Sequence, residues 1–573
     1  MVSNSLGQDG LIRGAQIVDG TGAPAYRGDI RIAGGRIAEI GVDLQGRGEP
    51  EYDAGGCYVT PGFIDSHTHY DASLFWDPAC DPILHHGVTT VLIGNCGLGL
   101  APVRPEGVAE LSTLFSYIED LPREVFASEV PWTWETFPQY AEVMRQRRYG
   151  VNVAALVSHS LLRVYEAGAE AWRRPSTADE RGRIAAAAAA AMSAGAFGVS
   201  TSRMDRNPAG DLVPSYHADL AEMETVFATT GAAKGVVQMI PNMVDVDVQI
   251  SDITEMGGLS QRHGGVPVIA NQIYMRPDDP AYADRLMAAA REIRAKGGAF
   301  YWLASPRSID LLLNFHQSMN FMNVQSWNDL CQLTVPKEEK LRRLKDPEWR
   351  AQARAEWDGV SGGFPSGGME RLFRVVKVNR PDYERYVART FDLILDERGG
   401  HPSDVLADWV FENDLEAEFV YPFSNTDMDQ VGRLLKADES LISASDAGAH
   451  IAMFDGAGDA TLILTRHVRD RADFPLEYAV KRMTSDQAKV LGLVDRGTIE
   501  VGAIADLAVF DLEKLAWSAE TKVADIPGGK VRFRRPPGGF RHTFVNGVLA
   551  QRDGTPTGAL AAKFLGAQDK VAA

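Results

Sequence analysis

The sequence predicts an α/β fold in which a TIM-like (β/α)8 barrel is joined to a small β-sandwich and carries a helical insertion. Short apolar segments alternate with helical stretches through the middle of the chain, as they do in βα units. Glycine-punctuated β-like pieces lie within residues 11–58 and 505–550, which indicates one sandwich built from both chain termini. The 573 residues leave room for a barrel of about 250 residues and an accessory domain.

Eight short apolar segments are the predicted barrel strands, and two helices between them are the clearest. The predicted helices cover residues 178–194, where alanine recurs, and residues 279–295. The predicted strands cover residues 59–65, 90–94, 151–157, 196–200, 236–240, 266–269, 299–302 and 441–445.

Residues 303–440 are too long for a single βα connection, so we predict a helical insertion there. Its charged helices are expected to form a lid or an oligomer contact, with plain solvated surface as the alternative. The predicted domains are then residues 1–58 and 496–573 for the sandwich and residues 59–495 for the barrel.

Composition excludes several classes of partner. The chain has 58 basic and 77 acidic residues, a net charge of −19, which argues against nucleic acid or an anionic membrane surface as a partner. Its four cysteines show no disulfide framework, and its start lacks the features of a signal peptide. We therefore expect a soluble cytoplasmic protein. The expected partners are a small-molecule substrate and further copies of the chain, in a homo-oligomer.

The phrase PGFIDSHTHYD, residues 61–71, places two histidines just after the first predicted barrel strand. In an extended chain, residues two apart point to the same side, so His67 and His69 can reach one metal ion. Neutral imidazole is a good ligand for zinc. Two histidines on a solvated loop are the alternative, but the phrase that precedes them favours a metal site.

Polar and metal-binding residues recur at the carboxyl ends of the other predicted strands, where TIM barrels carry their functional groups. Cys96 follows the second strand and is predicted to be a metal ligand, although a lone cysteine is often a small buried apolar residue. Asp446 follows the eighth strand. It is predicted to be a ligand and the general base, with a helix N-cap as the alternative.

The remaining candidates concern the substrate. His159, after the third strand, is predicted to be catalytic by stabilising an oxyanion, with a turn-filling role equally open. Arg203 and Arg307 suit a substrate carboxylate, because guanidinium binds carboxylates bidentately; pairing with surface acids is the alternative. The rest of the predicted substrate site consists of Asn271, Tyr301 and His450.

Four motifs and a tail together resemble the N-acyl-D-amino-acid deacylases (D-aminoacylases) of the amidohydrolase superfamily, along nearly the whole chain. This resemblance implies a TIM-like barrel with a small β-sandwich, a zinc-type site and hydrolysis of an amide bond. It also implies that His67, His69, Cys96 and Asp446 are metal ligands. The motifs are PGFIDSHTHYD (61–71), GVTTVLIGNCG (87–97), GAFGVSTSR (195–203), SASDAGAH (443–450) and DRGTIEVGAIADLAVF (495–510).

Two positions depart from the family pattern. The family's more tightly held metal uses one histidine after each of strands five and six, but residues 236–242 (VVQMIPN) and 266–272 (VPVIANQ) contain none. Lys234 precedes its strand and is poorly placed as a carbamylated bridging ligand. We therefore expect one zinc ion, held by His67, His69 and Asp446 with Cys96 as ligand or close neighbour; two ions are the alternative.

The expected reaction is hydrolysis of the amide bond of an N-acyl amino acid, D-configured or not. The metal activates a water molecule, and Asp446 takes its proton and delivers it to the leaving amine. A hydrolase of another amide, cyclic imide or lactone bond is the first alternative. A non-hydrolytic metal lyase and a catalytically inactive scaffold are the others, and retention of both histidines and of Asp446 argues against the scaffold.

Overall fold

Two large sheets organise the computed structural model, which describes residues 9–276, 279–316, 318, 320–360, 368–442 and 445–571. Within these residues, the strands are β1 (Gly10–Ile17), β2 (Tyr26–Ala33), β3 (Arg36–Gly41), β4 (Glu51–Asp53), β5 (Tyr58–Pro61), β6 (Phe63–Asp65), β7 (Val88–Ile93), β8 (Asn152–Ser158), β9 (Gly198–Ser202), β10 (Val236–Ile240), β11 (Val268–Ile273), β12 (Phe300–Ala304), β13 (Ile309–Leu313), β14 (Arg374–Lys377), β15 (Glu418–Ser424), β16 (Ser440–Ile442), β17 (Leu507–Phe510), β18 (Thr521–Ile526), β19 (Lys530–Arg534), β20 (His542–Val545), β21 (Val548–Arg552) and β22 (Thr555–Pro556).

The helices alternate with strands through the middle of the chain, as the sequence predicts. They are α1 (Val108–Ile118), α2 (Arg123–Glu129), α3 (Phe137–Arg145), α4 (His159–Ala167), α5 (Ala178–Ser193), α6 (Leu220–Ala232), α7 (Val246–Arg262), α8 (Tyr282–Ala295), α9 (Gln325–Leu330), α10 (Lys337–Lys345), α11 (Pro347–Gly359), α12 (Phe391–Arg398), α13 (Pro402–Glu412), α14 (Met428–Lys436), α15 (Asp459–Leu462), α16 (Leu476–Met483) and α17 (Ser485–Leu491).

The barrel sheet contains eight strands in the order β16-β12-β11-β10-β9-β8-β7-β6. Neighbouring strands are parallel, and a parallel bridge between Thr68 and Ala447 joins the segments that follow the first and last strands. Each predicted strand overlaps an observed one, so the predicted TIM-like α/β fold is confirmed. The eighth overlaps only at residues 441–442, because residues 443–444 lie outside the described part of the chain.

The first predicted strand divides between the two sheets. Its start, in β5, pairs with the sheet built from both chain ends, here called the terminal sheet. Only β6 enters the barrel. The chain passes between them at Gly62, where a Cβ atom would lie 2.2 Å from the side chain of Thr89. A side chain there would clash, so this crossing requires glycine. The predicted domain boundary after residue 58 therefore falls inside a strand of the terminal sheet.

The barrel interior is apolar. Side chains from successive strands, such as Ile64, Leu92 and Ile269, form one buried cluster with Leu491 and Leu565. Parallel sheets covered by helices bury both faces, which explains why the strands read as continuous apolar runs rather than alternating patterns. Polar side chains gather mainly at the strand ends, although a few, such as Gln238 in β10, are buried within the strands.

The terminal sheet draws strands from both chain ends, in the order β22-β21-β20-β17-β5-β1-β2-β3, with β4 added beside β1. Its central pairing joins β17 to β5. The β-like pieces at the two termini thus form one structure, as the sequence predicts.

Helices α9 to α13 lie between β12 and β16 and share a separate core around Trp327 and Trp409. The sequence-based description of this insertion as helical is incomplete, because β13, β15 and β14 form an antiparallel sheet within it. Among the residues described, none of the helices has both the length and the apolar character needed to cross a bilayer.

Candidate metal centre

Three potential ligands converge at the carboxyl ends of β6 and β7. The Nε2 atoms of His67 and His69 lie 3.3 and 3.5 Å from Sγ of Cys96. The ligating atoms of these three residues all lie within 4.8 Å of one another, and all three residues are buried. A single ion can therefore contact two imidazoles and one thiol here.

Asp446 brings a carboxylate to the same point. Its Oδ1 atom lies 3.4 Å from Nε2 of His67 and 3.4 Å from Nε2 of His69. The backbone of Asp446 is left-handed, with φ of 59°, a conformation that aspartate tolerates better than most residues. Its amide donates to the carbonyl of His67 across 3.0 Å, which ties the eighth strand end to the first.

Burial sets the protonation of these groups. It lowers the pKa of His69 to about 3, so this imidazole is neutral and can ligate. It raises the pKa of the Cys96 thiol well above its ordinary value, so a nearby cation would be needed to stabilise the thiolate. Burial also opposes ionisation of Asp446, but hydrogen bonding by His67 and the electrostatic influence of the neighbouring His450 and His69 rings hold its pKa below the usual range.

These residues fit a metal ion. Two imidazoles, a thiolate and a carboxylate are ligand types that zinc takes in proteins. Two further carboxyl groups are buried near the site. Oε1 of Glu119 lies 3.3 Å from Nδ1 of His69. Burial, reinforced by the charge of Asp446, raises the pKa of Glu119 well above its ordinary value and that of Asp205 to about 6. In the described structure, the buried Oε2 of Glu119 and Oδ2 of Asp205 have no hydrogen-bond partner. A cation bound nearby would favour the ionised form of these carboxyl groups.

Two side-chain amides, from β10 and β11, contact Cys96. The Cys96 amide donates to Oε1 of Gln238 across 2.7 Å, and Nε2 of Gln238 donates to Oδ1 of Asn271 across 3.0 Å. Nδ2 of Asn271 lies 3.3 Å from Sγ of Cys96 and 3.3 Å from Nε2 of His67. The predicted residue Asn271 thus reaches the centre of the site. Sequence reasoning missed Gln238, although a glutamine inside the apolar run VVQMI was an available signal.

Glu119 was also missed. It lies one residue past α1, and its Oε1 atom is 3.3 Å from Nδ1 of His69. Nothing in the local sequence distinguishes this glutamate from a surface residue, because its proximity to His69 arises only in the folded chain.

His159 lies in a different network. Its Nε2 donates to Oε1 of Glu222 across 2.7 Å, and its Nδ1 lies 3.2 Å from Oγ1 of Thr201. Glu222 also binds Arg163 and Ser176. Both ring nitrogens are engaged in a fully buried cluster, which argues against the predicted oxyanion contact.

The two predicted carboxylate-binding arginines are paired within the protein. Arg203 contacts Asp252 at 3.3 Å and Glu255 at 2.5 Å. Arg307, which is 7% exposed, contacts Asp459 at 3.2 Å and donates to the carbonyl of Ser445 at 3.0 Å. Substrate binding by either guanidinium would require it to leave these partners, so the structure argues against that role.

The last two candidates differ in position. Nε2 of His450 lies 3.7 Å from Oδ2 of Asp446, at the site. Tyr301 is the second residue of β12, and Arg294, near the end of the preceding helix, stacks 5.2 Å from its ring centre. The strand begins at the barrel end opposite the site, so this location argues against a substrate contact for Tyr301.

A barrel of this kind, with imidazole, thiol and carboxylate groups gathered at its carboxyl-terminal strand ends, defines a metal-dependent hydrolase. A model of the amidohydrolase family matches residues 51–248 and 384–550. The chain belongs to this family. It is accordingly a metal-dependent enzyme that hydrolyses carbon–nitrogen bonds other than peptide bonds.

Relatives with assigned activities cover nearly the full chain. An N-acyl-D-glutamate deacylase of Alcaligenes xylosoxydans xylosoxydans is 26% identical over 561 residues, 96% of this chain and 95% of the relative. A D-aminoacylase of the same organism is 26% identical over 573 residues, 98% of each chain. A solved D-aminoacylase structure, described by its binuclear metal centre, is 25% identical with a TM-score of 0.67, covering 97% of this chain and 99% of that one.

Proposed function

We propose that this enzyme removes the acyl group from an N-acyl amino acid by hydrolysis, using one zinc ion held by His67, His69, Cys96 and Asp446. The convergence of these four side chains at one point carries the proposal. The N-acyl-D-glutamate deacylase and D-aminoacylase among the relatives support the substrate class, including a D-configured amino acid.

A single ion is proposed because Asn271 and Gln238 occupy the space beside Cys96. Both residues lie in the two strand regions where the family pattern has a metal-binding histidine. Both are already hydrogen bonded. Neutral amides are weaker zinc ligands than imidazole. When bound, such an ion polarises a carbonyl group as a Lewis acid and lowers the pKa of a water molecule to about 7.

The protein side chains then handle the proton and the developing charge. Asp446 would accept a proton from the attacking water as its oxygen bonds to the carbonyl carbon, and would give that proton to the nitrogen as the carbon–nitrogen bond breaks. Its Oδ2 atom, on the side of His450, is the proposed proton carrier, since Oδ1 faces the two ligand histidines. The Nδ2 group of Asn271 would donate to the carbonyl oxygen as negative charge builds there.

The test is a substrate panel assayed in water labelled with ¹⁸O. We expect turnover of N-acyl-D- or N-acyl-L-amino acids, with one solvent oxygen in the released carboxylate. Turnover without that label would indicate a lyase, and no turnover of any N-acyl amino acid by metal-loaded enzyme would contradict the proposed substrate class.

The pairing of Arg203 and Arg307 favours a second candidate, a hydrolase of a neutral amide, cyclic imide or lactone. Such substrates need no carboxylate-binding arginine, and both predicted ones are committed to protein carboxylates. The same panel, extended to aryl amides, cyclic imides and lactones, compares the two: higher kcat/KM for uncharged substrates would select the second candidate.

A cytoplasmic location and a homo-oligomeric state complete the proposal. All four cysteines, which lie in the described part of the chain, are free thiols, and this supports a reducing compartment. Sedimentation of the purified protein would measure its oligomeric state.

A further inference from the structure

Glu119 is a buried carboxylate beside the outer nitrogen of a metal-centre histidine. It follows α1 directly and is only 1% exposed. Its backbone is held on both sides, because its amide donates to the carbonyl of Phe115 across 2.9 Å and its carbonyl accepts from the amide of Ile451 across 3.4 Å. The side chain is therefore presented from a fixed point.

His69 directs its two nitrogens to different partners. Nε2 faces Cys96 and Asp446, whereas Nδ1 lies 3.3 Å from Oε1 of Glu119. A neutral imidazole has one nitrogen with a free electron pair and one with a hydrogen. If Nε2 serves as ligand, the hydrogen is on Nδ1, facing the carboxylate.

The distance between Nδ1 of His69 and Oε1 of Glu119 is slightly longer than an ordinary N–H···O hydrogen bond. In the described structure, Nδ1 of His69 and Oε2 of Glu119 are both buried without hydrogen-bond partners. A buried donor and a buried acceptor that are left unpaired both destabilise the folded chain. A hydrogen on Nδ1 would have a carboxylate oxygen within 3.3 Å as its acceptor.

We propose that Glu119 is a positioning residue that holds Nδ1–H of His69 and thereby aims Nε2 at the metal ion. This inference rests on the proposed function, because it requires an ion at the cluster. Loss of such an outer partner typically weakens metal binding by roughly 10–100-fold.

The other ligand histidine provides a comparison within the site. Nδ1 of His67 is also buried, and it too has no hydrogen-bond partner among the described residues. The carboxylate thus supports one imidazole of the pair and leaves the other to its packing. Removal of Glu119 should accordingly disturb His69 while leaving the geometry of His67 and Cys96 intact.

The experiment measures zinc affinity of the full-length apoprotein by competition with a chromophoric chelator, without substrate. We expect Glu119→Ala to bind zinc 10–100-fold more weakly than wild type, and Glu119→Gln, whose carbonyl can still accept from Nδ1–H, to lose less. Asp120→Asn is the matched control, since it removes a neighbouring carboxylate whose Oδ2 is likewise unpaired, and it should stay within about threefold.

The absorption spectrum of the cobalt-loaded protein gives a second readout that folding stability alone would not move. We expect Glu119→Gln to alter the ligand-field bands while the thiolate band of Cys96 persists. Wild-type affinity and an unchanged spectrum in both Glu119 variants would overturn the positioning role alone. Absence of zinc binding by the wild-type protein would overturn the proposed metal centre as well.

Discussion

The side-chain amide of Asn271 reaches the thiol of Cys96, with Nδ2 3.3 Å from Sγ. The sixth barrel strand thereby places a neutral hydrogen-bond donor beside a predicted metal ligand. Because this amide also lies 3.3 Å from Nε2 of His67, it is suitably placed to donate to an oxygen that develops charge next to the ion.

Replacement of Asn271 by alanine should lower kcat by about 100-fold, since loss of one oxyanion donor has effects of that order. Zinc affinity should stay near the wild-type value, because the proposed ligands remain. Steady-state kinetics and chelator competition measure the two quantities. A large loss of zinc affinity with normal kcat at saturating metal would instead identify Asn271 as a ligand.

Asp446→Asn should lower kcat by about 10²–10⁴-fold, because the amide cannot accept the proton from water. His67, His69 and Cys96 would still hold zinc, more weakly. The rate is to be measured at a zinc concentration that saturates the variant. Full activity with metal retained would eliminate Asp446 as the base.

Glu222→Gln should destabilise the fold by about 3–5 kcal/mol, because it leaves the buried charge of Arg163 without its partner. Burial alone would raise the pKa of Glu222. The hydrogen bond from His159 and the charges of His159 and Arg163 outweigh this effect and lower the pKa from 4.5 to about 2. The contribution of Glu222 to the free energy of unfolding is therefore complete above pH 4.5 and is lost as the pH falls towards 2.

Urea unfolding at several pH values measures both effects of Glu222. The control is Glu224→Gln on the same helix, where the carboxylate is 36% exposed in its pairs with Arg262 and His263. That change should cost less than about 1 kcal/mol. Equal losses in the two variants would contradict the importance of the buried network.

Lys570 should make stability rise with pH in the alkaline range. Burial lowers its pKa to about 8 from 10.5, and its ammonium group donates to the carbonyl of Ala196 across 3.2 Å. Between those two values the unfolded chain binds more protons, so the free energy of unfolding increases with pH, by about 3 kcal/mol in total.

Lys570→Met should remove this increase and raise stability at pH 7. Lys563→Met is the control, because the Lys563 side chain is 40% exposed and pairs with Asp569. Unfolding free energies measured from pH 7 to pH 10 distinguish the two variants. A pH slope that survives in Lys570→Met would show that another group is responsible.

The barrel could be predicted because its strands are continuous apolar runs, and because His67, His69, Cys96 and Asp446 follow those runs directly. The strand limits could not be predicted as closely: β11 begins two residues later than expected, just after Pro267. Proline lacks the amide hydrogen that a central strand donates. The sheet within the insertion was missed because β13 pairs with β15, more than a hundred residues further along the chain.

Pairings distant in sequence also limited the prediction of the site. Arg307 was a substrate candidate because of its position after the seventh strand, yet Asp459 reaches it from beyond the eighth strand. His159 similarly meets Glu222, 63 residues away. Sequence patterns thus located the strand ends, but which polar groups are already paired depends on the folded contacts.

The most direct test of the proposed centre is the number of zinc ions per chain, measured by mass spectrometry of the zinc-loaded and dialysed protein. We predict one ion per chain in the wild type and almost none in His67→Ala, because this change removes an imidazole that contacts both Cys96 and Asp446. Two ions per chain, or one that persists in His67→Ala, would contradict the single centre built on this histidine.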